Sequence, residues 1–136
     1  MPSIFIIKDK MKNPKEWYDK VMGNQQEWEY DENINQYRAG NVYLVEREDS
    51  VAFEDVSDME FYGWGTESWV KLAAGKELIY GYYSEDMLEA EFVHIKDGKC
   101  IRDYRVYDSE VDTDEGDEPE FESWVDVASY VDRHML

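Results

Sequence analysis

The densest set of groups able to do chemistry in this 136-residue chain is the acidic run from Asp108 to Glu122. Within it Asp112, Asp114, Glu115 and Asp117 could present oxygens to a hard cation such as Ca²⁺. An EF-hand loop beginning at Asp112 would need glycine at its sixth position and glutamate at its twelfth. Here Gly116 comes one place early and position twelve is Ser123, so the motif fails. His94 and His134 are the only histidines, and the single Cys100 lacks a CxxC partner, so no zinc site is indicated. Ser109, His94 and Asp103 supply the residue types of a nucleophile, base and orienting carboxylate, yet their spacing matches no catalytic pattern. Gly63 and Gly65 flank Trp64 without a phosphate-binding signature and read as turn glycines. No catalytic residue, metal ligand or cofactor is assigned, and no enzymatic activity is expected. The aromatic set Tyr62, Trp64, Tyr80, Tyr82 and Tyr83 could stack a sugar or a base, but reads first as sheet core.

Charge is the stronger signal. The formal net charge is -19 and the sequence pI about 4.2, which opposes binding to nucleic acid or an anionic membrane and favours a basic partner. Residues 1–38 hold six Lys/Arg against seven Asp/Glu, and residues 39–107 hold seven against fifteen. Residues 108–136 hold one against eleven, so a net of -10 falls in the last fifth of the chain. Such asymmetry points to an interaction surface. The segment after Met1-Pro2-Ser3 has only Ile4 to Ile7 as an apolar run, too short for a signal sequence or membrane span, and with one cysteine a reducing, cytoplasmic setting is expected.

The elements that must position these groups follow from periodicity. The 43% hydrophobic and 15% aromatic content suffices for one domain over residues 1–136. Ser3 to Ile7 reads as a strand. Asn13-Pro14-Lys15-Glu16 reads as a helix start, with Asn13 the cap, and Trp17, Val21 and Met22 or Trp28 turned inward. Asn24 to Arg38 is expected to continue that helix or form a second one, with Gly40 at its end. Val42 to Glu46 and Val51 to Val56 read as strands, and Thr66 is expected to cap a short helix to Ala74 that Gly75 closes.

Leu78 to Tyr83 leads into two strands joined at Asp97-Gly98, the strongest short-range hairpin signal because a type I′ turn needs positive φ at both central residues. The implied register pairs Lys96 with Lys99, Ile95 with Cys100, His94 with Ile101, Val93 with Arg102, Phe92 with Asp103 and Glu91 with Tyr104. Val93, Ile95, Cys100, Tyr104 and Val106 then share a core face. Residues 108–120 are expected to form an acidic loop. Phe121, Trp124, Val125, Ala128 and Val131 form the stripe of a helix at about 121–133. The fold class is α+β, an antiparallel sheet of five or six strands with two or three helices packed mainly on one face.

The small acidic chain, with its meander from Leu78 to Tyr107 and its acidic tail to Val131, resembles the immunity proteins of bacterial polymorphic-toxin systems. That resemblance implies an antidote that binds and blocks a basic toxin domain, and transfers no binding position residue by residue. Charge alone leads to a similar expectation, a protein-binding inhibitor whose contact surface includes Asp112, Asp114, Glu115, Asp117, Glu118 and Glu120. The alternatives are a phage-type inhibitor of a DNA-binding enzyme that imitates nucleic acid, and a small enzyme whose site no motif reveals.

Overall fold

A computed structural model describes residues 2–57 and 59–136. All strands join one antiparallel sheet. The strands are β1 (Ser3–Ile7), β2 (Glu29–Asp31), β3 (Gln36–Ala39), β4 (Val42–Glu46), β5 (Val51–Asp55), β6 (Leu78–Ser84), β7 (Glu89–Lys96), β8 (Lys99–Tyr107) and β9 (Glu110–Gly116). Their order is β2-β3-β4-β5-β1-β6-β7-β8-β9. Strand β1, buried along its whole length, closes the two halves by pairing with β5 and β6.

Among the described residues three helices cover both faces. The first face carries α1 (Pro14–Met22) and α2 (Thr66–Ala73). Their Tyr18, Trp69, Leu72 and Ala73 pack with Phe5, Phe53, Leu78, Tyr80, Val93 and Ile95. The second face carries α3 (Trp124–His134), whose Val127 and Val131 pack with Ile4, Ile6, Ile79, Phe92, Tyr104 and Val106. At Gly81 an added Cβ would lie 2.6 Å from Met135 Sδ and 2.7 Å from Val131 Cγ2, so α3 and its end rest directly on the β6 backbone.

Among the described residues the sheet has nine strands rather than five or six, and the helices divide two to one between its faces. Two misread segments account for the extra strands. Asn24 to Arg38 is not helical: β2 and β3 form a hairpin whose turn is built by Asp31, which accepts the Asn33 N–H at 3.0 Å, and by Asn35 at φ 56°. These are the side chains that compete with a helix for backbone bonds. Gly40 accordingly sits in the β3–β4 turn. The expected loop at 108–120 is mostly β9, reached through Asp108 and Ser109, both at positive φ, in a second tight hairpin.

The Asp97-Gly98 turn forms as read, and Lys96 faces Lys99 and Ile95 faces Cys100. Beyond that the register slips by one at a bulge that leaves Ile101 over, so His94 faces Arg102, Val93 faces Asp103, Phe92 faces Tyr104, Glu91 faces Arg105 and Ala90 faces Val106. Sorting explains the slip. The straight ladder would set Phe92 against Asp103 and Glu91 against Tyr104; one extra residue sets Phe92 against Tyr104, Ala90 against Val106 and Glu91 against Arg105, and of the apolar residues only Val93 is left facing a charge. Tyr104 and Val106 therefore lie on the α3 face, not with Val93 and Ile95 as the straight ladder implied.

The helix ends also differ from expectation in detail. Thr66 is the first residue of α2, with Gly65 at the cap and Ala74 closing the helix in the left-handed region. In α3 the buried stripe runs through Val127, Ala128 and Val131, while Val125 is 54% exposed. Phe121 is core but precedes the helix. No helix among the described residues is long and apolar enough to cross a membrane.

Candidate functional site

The one-residue slip in β8 builds two polar constellations, one on each face of the sheet. On the α1/α2 face it brings Asp103 and Arg105 beside Glu91. All three are buried, at 2%, 7% and 0% exposure. Arg105 Nε donates to Asp103 Oδ1 at 2.8 Å and its Nη1 lies 3.8 Å from Glu91 Oε2. Glu91 accepts from the Tyr80 hydroxyl at 2.8 Å, from the Gly63 N–H at 3.0 Å and from the Tyr107 hydroxyl. Asp103 accepts from the Thr66 hydroxyl, which ties the start of α2 to β8. Next to it Glu89 accepts from Tyr82 at 2.6 Å and Tyr62 at 3.1 Å.

Burial disfavours the charge on Arg105, but the Asp103 hydrogen bond and the carboxylates of Asp103 and Glu91 outweigh it and leave its pKa raised. A guanidinium sandwiched between carboxylates stays charged and serves as the counterion that lets two acids be buried. Its Nη2 is buried without a partner among the described residues. The network braces the loop at 62–66 against three strands. It resembles a proton-transfer site in residue types, but both carboxylates are engaged, Glu91 by Tyr80, Tyr107 and the Gly63 N–H and Asp103 by Arg105 and Thr66.

The tyrosines give this network a measurable signature. Partial desolvation and Glu89 push Tyr62 up to about 12. Tyr80, Tyr82 and Tyr107 are raised too, first by burial and then by Glu91 or Glu89. Unfolded tyrosine loses its proton near pH 10. Above that pH the unfolded chain releases protons that the native chain keeps, so stability is fully present below pH 10 and falls as pH climbs toward the folded values. Tyrosinate absorbance followed together with far-UV circular dichroism is expected to show a fraction of tyrosines ionising only as the fold is lost. Complete ionisation with the far-UV signal intact would contradict the network.

On the α3 face the slip turns Arg102 toward β9 and the segment after it. Arg102 is buried, and its guanidinium packs over the rings of Tyr104 and Phe121, 5.2 and 5.4 Å from their centroids. Its Nε donates to the Pro119 carbonyl at 2.8 Å, and Nη1 donates to Asp114 Oδ1 at 2.7 Å, to the Glu115 carbonyl at 2.8 Å and to the Gly116 carbonyl at 3.3 Å. One buried cation thus fixes the acidic segment from behind by charge-assisted bonds.

The sequence-predicted contact residues fall on this ledge. Asp112, Asp114 and Glu115 are on β9; Asp117, Glu118 and Glu120 follow in the turn toward Phe121, and all six are exposed. Asp114 is partly engaged by Arg102, and Asp112 is the bulged residue where the β8–β9 register shifts. Beside the ledge, the Ser109 N–H donates to the Leu88 carbonyl at 2.9 Å and joins the β8–β9 turn to the β6–β7 turn. That turn exposes Met87 at 59% and Leu88 at 39%, between Glu85, Asp86 and Glu89, with Leu88 at φ 52°.

Ser109, His94 and Asp103 do not converge. His94 points to the α3 side and pairs with Glu77 at 2.7 Å, while Asp103 is held on the other face by Arg105 and Thr66. Cys100 lies half-buried against the first core, and desolvation raises its thiol pKa, which makes it a poor nucleophile. Among the described residues no three His, Cys, Asp or Glu side chains converge to hold a metal ion.

Sequence reasoning missed Arg102, Arg105, Glu91, Met87 and Leu88. The signal for the charged three was the mismatch of apolar and charged partners in the straight register. No family model, curated protein or solved structure matches the chain.

Proposed function

We propose that the chain is a protein-binding inhibitor of the immunity type, an antidote that occludes a basic toxin domain with the acidic edge β9 and the turn after it. The observation that supports this reading is the Arg102 anchor: Glu110, Asp112, Asp114 and Glu115 stand on a seven-residue edge strand whose far end a buried cation holds in place. A fixed surface loses less conformational freedom on binding than a floppy acidic loop would. Met87 and Leu88, exposed at the turn that the Ser109 N–H joins to the start of β9, add an apolar contact at that end of the acidic edge.

Charge on an edge strand also has a plainer role, since it keeps the open edge from pairing with a second copy of the chain. The two roles coexist, because like charges repel a copy and attract a basic partner. An imitation of nucleic acid would spread carboxylates over an elongated surface, whereas residues 1–38 hold six Lys/Arg. This favours the antidote. The reading places the protein in the cytoplasm with its partner.

Replacing Asp112, Asp114, Asp117 by Asn and Glu115, Glu118, Glu120 by Gln is expected to slow association with the basic partner by about 10- to 100-fold at low salt and to flatten its salt dependence. Stopped-flow association at two or more ionic strengths is the measurement. An unchanged rate and salt slope would sink the surface assignment.

A further inference from the structure

A groove of about 610 Å³ opens between α1 and α2, on the face away from α3. Trp17 and Val21 of α1, Leu72 of α2 and Trp64 of the preceding loop line its apolar part, while Lys20 and Lys71, one from each helix, stand at its rim. The indoles are held by the core. Trp64 stacks at a tilt on Trp69, with centroids 4.8 Å apart, and Trp17 lies 5.7 Å from Phe53. Such a volume falls inside the range of small-molecule pockets, roughly 300 to 1,000 Å³, and rigid aromatic walls with a few polar groups are their usual make-up.

We infer that this groove binds a small amphipathic monoanion, an aromatic ring or acyl chain between the two indoles with its single negative head between Lys20 and Lys71. In a chain of net charge -19, a lining with two cations and no acid is an exception that calls for a ligand of opposite sign. Competing charges do not cancel it. Asp19, next to Lys20, keeps its charge but its carboxylate is held by Trp28 Nε1, at 3.0 Å, and not by the lysine. Glu16 and Glu67 stand one turn before each lysine, yet among the described residues neither lysine has a carboxylate within ion-pair distance. Both helices end near the groove, each with about half a negative charge at most, against a full charge on each ammonium.

Trp17 packs on Phe5 of β1 and Phe53 of β5, so the α1 side of the groove lies four strands from the acidic edge β9, roughly 19 Å at about 4.8 Å per strand and more than two screening lengths of about 8 Å at physiological salt. The α2 side is nearer, because α2 packs on β7 and β8. A small monoanion meets the local lysines, while a large polyanion would also meet the acidic remainder of the molecule. This selects a small ligand over an acidic macromolecule.

The test titrates the full chain with 1-naphthoate, with laurate and with the uncharged 1-naphthalenemethanol, following the indole N–H resonances by NMR. Saturable shifts confined to Trp17 and Trp64, with an acid binding about tenfold more tightly than the alcohol, are expected. The tighter of the two acids tells ring from acyl chain. The double variant Lys20→Gln with Lys71→Gln, both exposed and remote from the core, should keep its melting temperature and lose that tenfold preference. Equal binding of acid and alcohol, a preference that survives in the double variant, or no saturable shift up to on the order of 1 mM of either acid would overturn the proposal.

Discussion

Arg105→Met is expected to destabilise the fold by about 3 to 5 kcal/mol at neutral pH, because it leaves Glu91 and Asp103 buried with their shared counterion gone. The aliphatic stem is nearly conserved in volume, so packing contributes little to the loss. The carboxylates keep their donors from Tyr80, Tyr107, Gly63 and Thr66. Those bonds soften the penalty but supply no positive charge. Replacing all three members together, Glu91→Leu, Asp103→Val and Arg105→Met, should cost at least as much as the single change, since it also leaves the Tyr80, Tyr107 and Thr66 hydroxyls and the Gly63 N–H without their acceptors. Urea denaturation of the two variants checks both statements. A single variant within about 1 kcal/mol of the parent would mean that Arg105 is not the counterion of the cluster.

That cluster shows where the sequence could and could not be read. Turn chemistry was legible: Asp97-Gly98 demands positive φ twice and the structure grants it, at 52° and 76°. All six core strands, β1 and β4 to β8, were legible from apolar runs and the Asp97-Gly98 turn, and so were α1 from Pro14, α2 from Thr66 and Gly75, and α3 from its periodicity. Illegible were the elements whose identity depends on a neighbour. The acidic β9 has too little apolar content to announce itself, and becomes a strand only because the Asp108-Ser109 turn lays it on β8 and Arg102 holds its end. The β2–β3 hairpin buries almost nothing and rests on Asp31 and Asn35. The bulge at Ile101 is a global choice, visible only when both strands and both helix layers are present. Asp103 and Arg105 accordingly fell on the face opposite the expected core, and the buried network went unread. The six acids were picked from composition alone, but the Arg102 bonds that hold their segment from behind were not legible.

Gly116→Ala is expected to loosen that ledge while sparing the rest of the fold. Gly116 sits at φ 88°, where an L residue costs about 1 to 2 kcal/mol. Its new Cβ would also fall inside the contact shell of the Ile101 carbonyl oxygen and 3.1 Å from Arg102 Cα, both backbone atoms that cannot rotate aside. Overpacking against fixed atoms adds about 1 to 3 kcal/mol. An edge strand can escape that combined strain by releasing its end, giving up the Arg102 bonds to Glu115 and Gly116 rather than unfolding the sheet. Gly98→Ala is the internal control. Its φ of 76° carries the same backbone penalty, but nothing lies within 4 Å of the added Cβ. Amide exchange should therefore accelerate over residues 113–117 in Gly116→Ala by about 10- to 100-fold and stay near parental values there in Gly98→Ala. If the ledge is the contact surface, Gly116→Ala also slows association with the basic partner even though every carboxylate is retained, which separates rigidity from charge. Equal exchange in the two variants would show that the close approach of β9 to Ile101 is not what holds the edge.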